Sequence, residues 1–159
     1  MKRLLLAIIS VAGLTFGTVA VAASPALAAT CSGNGCNGQD PAITGCSTNA
    51  YTVASVPMVD PYGQVGVVDL RYSPTCGTNW SRITMSVATE NVATITAIIE
   101  RSDGLHYSYS WTGRAPSGLQ IYGDMVYAPA TPARASGQGA WIDAATGAKR
   151  LPNGQTGWY

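Results

Sequence analysis

Charge is scarce in this sequence: 11% of its 159 residues are Asp, Glu, Lys or Arg. A helical bundle covers its outward faces with Lys and Glu, so that scarcity argues against one. No stretch of helical length keeps a 3.6-residue apolar period either. Histidine occurs once, at His106, so any Ser-His-Asp or Cys-His arrangement must use that residue. The G-x-S-x-G elbow of serine hydrolases and the H-E-x-x-H helix of zinc peptidases are both missing. So is any basic excess: the formal net charge is +1. Nucleic acid, whose phosphates call for a basic face, is not an expected partner.

The N-terminal stretch carries a strong signal. Lys2 and Arg3 form a basic start, and the run from Leu4 to Ala23 carries no charge. Ser24 and Pro25 break any helix, and Ala26-Leu27-Ala28 has the small-x-small pattern that a signal peptidase reads. Residues 1–28 are therefore read as a cleavable signal peptide, cut between Ala28 and Ala29 or one bond later. A membrane anchor needs about 20 apolar residues. Here Ser10, Gly13, Thr15, Gly17 and Thr18 dilute the run, and no basic cluster follows it. The expectation is a secreted, extracellular protein that leaves the membrane after cleavage. Loss of Lys2 and Arg3 leaves seven basic residues against eight acids, a net charge of −1 over residues 29–159.

All four cysteines, Cys31, Cys36, Cys46 and Cys76, lie in that exported part. An even count in a short secreted chain reads as two disulfides, with three connectivities open. A zinc site prefers close cysteine pairs; Cys31 and Cys36 fit one, but Cys46 and Cys76 do not. The rest of the chain reads as short strands broken by turn residues. Residues 29–47 form a cysteine-rich loop, and 48–159 a single β domain. Tyr51–Val56 and Val65–Tyr72 have strand composition, with Asp60-Pro61-Tyr62-Gly63 as the turn between them. Arg82–Val87 alternates, placing Ile83, Met85 and Val87 on one face. Val92–Glu100 and His106–Trp111 flank a Ser102-Asp103-Gly104 hairpin signal. Shorter strands are expected at Leu119–Tyr122, Met125–Tyr127 and Ala140–Asp143, with a loop over Pro129–Pro132. The expected class is all-β: a small disulfide-bonded barrel or sandwich of short antiparallel strands. If the first two strands pair, Cys46 precedes one and Cys76 follows the other. Antiparallel pairing then favours Cys46–Cys76, which leaves Cys31–Cys36 as a local bridge.

The run Cys31-x4-Cys36-Asn37-Gly38-Gln39-Asp40-Pro41, then Cys46, then Leu70-Arg71-Tyr72-Ser73-x2-Cys76-x3-Trp80-Ser81-Arg82-Ile83 resembles the DUF2690 family. That family, a domain of unknown function, comprises small secreted proteins, mostly of actinobacteria and other Gram-positive bacteria. The resemblance covers residues 31–128. It implies secretion and a disulfide-bonded domain, and it implies no mechanism.

Candidate functional residues follow from chemistry. Tyr107, Tyr109 and Trp111 share one face of a strand and form either a core stripe or a carbohydrate-stacking platform. His106 shares the opposite face with Ser108 and Ser110, the ordinary place of a solvent-facing histidine or of a base. The acids Asp40, Asp60, Asp69, Glu90, Glu100, Asp103, Asp124 and Asp143 cannot be paired by sequence, as a glycosidase would require. Asp60, Asp103 and Asp143 sit beside turns, where aspartate caps backbone amides. Asn34, Asn37 and Asp40 offer oxygen ligands to calcium in a Gly-rich loop, or simply make its turns. Asp69 and Arg71 form an exposed ion pair, or Arg71 stacks on Trp80. The expected function is a non-enzymatic extracellular or cell-wall binding module, monomeric and without cofactor or metal. Its expected partner is a cell-wall glycan or an extracellular protein. The alternative is an extracellular hydrolase using carboxylates or His106.

Overall fold

A computed structural model describes residues 28–159, so the signal-peptide reading lies almost wholly outside the described residues. Among the described residues the chain folds into ten strands. These are β1 (Tyr51–Asp60), β2 (Gly63–Ser73), β3 (Thr78–Met85), β4 (Ala93–Arg101), β5 (His106–Gly113), β6 (Gln120–Tyr122), β7 (Val126–Tyr127), β8 (Ala133–Ile142), β9 (Lys149–Arg150) and β10 (Asn153–Gln155). All pairings are antiparallel, in the order β5-β4-β8-β10-β1-β2-β3-β6, with β7 on β3 and β9 on β8. The sheet curls until β3 packs across the interior on β4 and β8, giving a nearly closed eight-stranded barrel. One hydrogen bond crosses that interior, from Ser81 Oγ to the Ser136 carbonyl at 3.0 Å.

Local chemistry explains the elements. β1 and β2 are rich in valine and turn at Pro61-Tyr62, where the Asp60 carboxylate accepts the Tyr62 N–H at 2.9 Å. Gly63 stands at φ 125, which only glycine adopts without strain. Alternation sends Val68, Leu70, Ile83, Met85, Ile95, Ala97 and Ile99 inward, all 1% exposed or less. Burial of each such Leu, Ile or Val contributes roughly 1.5–3 kcal/mol.

The segment after Pro129, for which the sequence suggests one short strand at Ala140–Asp143, forms the middle of the sheet. β8 runs from Ala133 to Ile142, pairing with β4 along one edge and β10 along the other. Small residues fill it because the interior is crowded there. A Cβ on Gly137 would stand 2.6 Å from Val68 Cγ2 and 3.0 Å from Ile83 Cδ1. Glycine is unfavourable in an isolated strand, so tertiary packing overrides propensity. β10 joins the halves: it pairs with β8 over Asn153–Gln155 and meets β1 at Val59. The third strand also departs from expectation, spanning Thr78–Met85 instead of Arg82–Val87 and leaving Val87 37% exposed beyond its end.

A second apolar cluster lies on the outer face of β3, where Trp80 points. There Cys36, Cys46, Cys76 and Met125 bury it completely. The bridges are Cys31–Cys36 and Cys46–Cys76, with Cα–Cα separations of 5.2 and 5.8 Å. The cysteine loop is further fixed by a backbone exchange: Gly38 N–H donates to Met125 O, and Met125 N–H to Gln39 O, both at 2.9 Å.

Candidate functional site

The register places the start of β1, the end of β2, the start of β8 and the C-terminal residues at one end of the barrel. A groove of about 400 Å³ opens there. Tyr51 and Tyr72 face each other across the β1–β2 pair, ring centroids 5.7 Å apart and edge-on at 68°. Asn79 lies opposite Tyr72 on β3, and its amide donates to the Arg71 carbonyl at 3.2 Å. Pro129 and Pro132, in the loop entering β8, form one wall. Tyr159 closes the other side. Its backbone exchanges hydrogen bonds with Ala133 at 2.8 and 3.0 Å, which ties the end of the chain to β8. Tyr51 remains 53% exposed and Tyr159 61%. No charged side chain lines this groove among the described residues. The arrangement suits a neutral ligand with apolar faces and hydroxyl edges.

The opposite end of the barrel is built of charge. Its groove, about 370 Å³, is lined by Tyr62, Glu90, Trp141, Asp143 and Arg150 among others. The Arg150 guanidinium grips both carboxylate oxygens of Asp60 and lies 3.5 Å from Asp143. It also stacks over Tyr62 at 4.8 Å and Trp141 at 5.6 Å. The Arg150 hydrogen bond holds the Asp60 carboxyl below its ordinary range, partly opposed by burial. The Thr146 hydroxyl and N–H do the same for Asp143. A catalytic acid needs the opposite shift. This end reads as a clamp that joins β9 to the β1–β2 turn.

The other acids are committed elsewhere or stand apart. Asp103, against Arg101, is lowered to about 2. Glu100 pairs with Arg134 at 2.7 Å. Asp124 is raised by burial and by the neighbouring charge of Asp40, yet lines neither groove. Asp40 caps its own loop, accepting from Ala42 and Ile43 N–H, and Asn37 Oδ1 accepts from Tyr127 N–H at 2.6 Å. His106 is exposed, with its Nδ1 3.2 Å from the Gly104 carbonyl.

Two sequence expectations change with the structure. Asp69 pairs with Arg82, not Arg71, through contacts of 3.0 and 2.5 Å, and it accepts from Ser55 Oγ. Cross-strand register decides this, because Asp69 lies directly opposite Arg82. Arg71 lies opposite Trp80, but its guanidinium instead anchors the entry to β1, donating to Thr52 Oγ1 at 2.6 Å and Ala50 O at 2.7 Å.

Tyr107, Tyr109 and Trp111 lie on the inner-facing side of β5, opposite the buried Ile99, Ala97 and Ile95. β5 is an edge strand of the sheet, so the stripe is only partly covered: Tyr107 and Trp111 pack on the core, while Tyr109 stays 46% exposed. None of the three lines either groove. Sequence reasoning missed Tyr51, Tyr72 and Tyr159. The available signal was that Tyr51 and Tyr72 stand at the open ends of a predicted hairpin. Nothing local to Tyr159 places it beside them.

The sequence profile of a protein family described as "Protein of unknown function (DUF2690)" matches residues 34–148. The chain is also similar to "Uncharacterized protein YjfA" of Bacillus subtilis (strain 168). The two are 33% identical over 133 residues, which is 80% of this chain and 83% of the relative. No solved structure matches. The chain belongs to the DUF2690 family.

Proposed function

We propose that this DUF2690 member is secreted and acts as a non-catalytic binding module whose tyrosine-lined barrel mouth holds a neutral cell-wall glycan. The observation that carries the reading is the composition of that mouth: Tyr51, Tyr72 and Tyr159 around a 400 Å³ groove free of charged side chains. A sugar ring offers C–H faces to aromatic rings and hydroxyls to tyrosine O–H groups, which is what this wall presents. The Lys2-Arg3 start, the uncharged run to Ala23 and the Ala26-Leu27-Ala28 pattern support export. Two disulfides fit an oxidising destination. The experiment is retention of the mature protein on insoluble peptidoglycan and on chitin. The reading expects retention on at least one, released by soluble fragments of that polymer. Passage through both without retention overturns it.

A further inference from the structure

β5 stands at one end of the sheet, paired with β4 on one side only. Its register with β4 is one-to-one from Ala93–Gly113 to Glu100–His106, without a bulge. Just beyond, the Arg101 N–H donates to the Leu105 carbonyl at 2.8 Å. Antiparallel hydrogen bonds come at every second pair, so Tyr107, Tyr109 and Trp111 direct their backbone groups at β4. Those of His106, Ser108, Ser110 and Thr112 point away from the sheet. None of these N–H and C=O groups has a partner among the described residues, and all four residues are exposed.

An open edge is ordinarily blunted by charge, proline, a bulge or shortness. β5 has none of these: His106–Gly113 is eight residues long and holds no Pro, Asp, Glu, Lys or Arg. We propose that β5 is a self-pairing edge, which joins two copies of this chain across a two-fold axis into one continuous sheet.

Register and chemistry select a second copy as the occupant. In antiparallel pairing centred on Tyr109, Ser108 faces Ser110 of the second copy and His106 faces its Thr112. Each such pair exchanges two hydrogen bonds, so every free edge group is used. Centring on Ser108 or Ser110 instead leaves an end residue unpaired. The side chains match as well. On the inner-facing side Tyr109, 46% exposed, meets its own copy at the axis, and Trp111 meets Tyr107. On the outer side, the hydroxyl pair of Thr96 and Ser110, 2.9 Å apart, continues into Ser108 of the second copy. Charge is also compatible. Arg114, which enters no ion pair among the described residues, comes opposite the second copy's turn at Asp103 and Gly104.

The other end of the sheet argues for a closed dimer over an open chain of copies. β6 spans only Gln120–Tyr122, so β5 laid against it would leave most of the edge unpaired. A lone strand pair buries less than the roughly 800 Å² per partner of a standard interface, which points to a reversible dimer with Kd on the order of 10–100 μM. This departs from the monomer expected from the sequence. It stands apart from the glycan reading, since no β5 residue lines either groove.

The test is sedimentation velocity of the mature chain from about 5 μM to about 1 mM, a range that brackets that affinity. Expected is a passage from monomer to dimer as concentration rises. Ser110→Pro deletes an outward N–H that β4 does not use, and should weaken the dimer about 10-fold or more while the dilute monomer stays folded. Paired charges decide the matter should that variant fail to fold. Ser108→Lys with Ser110→Lys, and separately Ser108→Glu with Ser110→Glu, set like charges opposite each other across the axis. Each double variant alone is expected to remain monomeric, and an equimolar mixture of the two to dimerise. A parent that is monomeric at every concentration overturns the proposal, as do species beyond the dimer. So do double variants that dimerise alone as the parent does, or a mixture that stays monomeric.

Discussion

Gly154→Ala tests the role of the C-terminal segment in closing the barrel. Gly154 sits in β10 between Gly137 of β8 and the β1 edge. A Cβ there would stand 2.7 Å from the Pro57 carbonyl oxygen, 3.2 Å from Met58 Cα and 3.2 Å from Val68 Cγ2. Two of those neighbours are backbone atoms and cannot rotate away. Relief requires β10 to move off β1 by several tenths of an ångström, at the seam where Asn153 meets Val59. Overpacking of this kind costs about 1–3 kcal/mol. Alanine returns up to about 0.5–1 kcal/mol by restricting the unfolded chain. The net expectation is a loss of about 1–2 kcal/mol, or roughly 3–8 °C in Tm for a domain of this size. The assay is thermal unfolding of the mature protein by tryptophan fluorescence. Gly35→Ala is the control, since a Cβ at Gly35 meets nothing within 4 Å and its φ is ordinary. If Gly154→Ala melts with the parent, the β10 seam is not tight, and the account of the tail as a closing element fails.

Three further outcomes are expected. Replacing both Cys46 and Cys76 by serine removes a bridge of sequence separation 30 and should cost about 3–4 kcal/mol from loop entropy, against about 2 kcal/mol for the Cys31–Cys36 pair, whose separation is 5; equal losses in urea melts would contradict that ordering. Because Asp60 is lowered by Arg150, the stability it contributes is complete above the ordinary carboxylate value of 3.8 and is lost as pH falls through the lower folded value; Arg150→Met should flatten that acid limb, and an unaltered limb would remove the clamp. N-terminal sequencing of exported protein should read Ala29 or Thr30 first, and retention of Met1 would overturn the signal-peptide reading.

The sequence displayed some parts of this molecule and hid others for identifiable reasons. The β1–β2 hairpin was legible because valine-rich strands flank an Asp-Pro-Tyr-Gly turn, and the flanking cysteines followed from it. β8 was illegible because Ala133-Arg134-Ala135-Ser136-Gly137 carries no strand propensity. Its smallness answers Val68 and Ile83, residues more than fifty positions earlier. β9 and β10 are two and three residues long, too short for any periodicity to show. The alternation of Tyr107, Tyr109 and Trp111, which lie away from the mouth, is legible because those residues are close in sequence. Tyr51, Tyr72 and Tyr159 are brought together by antiparallel register and by the docking of the C-terminus on Ala133, neither of which is a local property.

The most direct measurement compares glycan affinity in Tyr159→Ala and Tyr109→Ala, two exposed tyrosines at different places on the barrel. Using soluble fragments of whichever polymer retains the parent, the account predicts that Tyr159→Ala weakens binding about 5- to 30-fold, the loss of one stacked ring of about 1–2 kcal/mol. Tyr109→Ala should bind as the parent does. Binding that survives Tyr159→Ala and fails with Tyr109→Ala would move the site to the β5 edge and contradict the account.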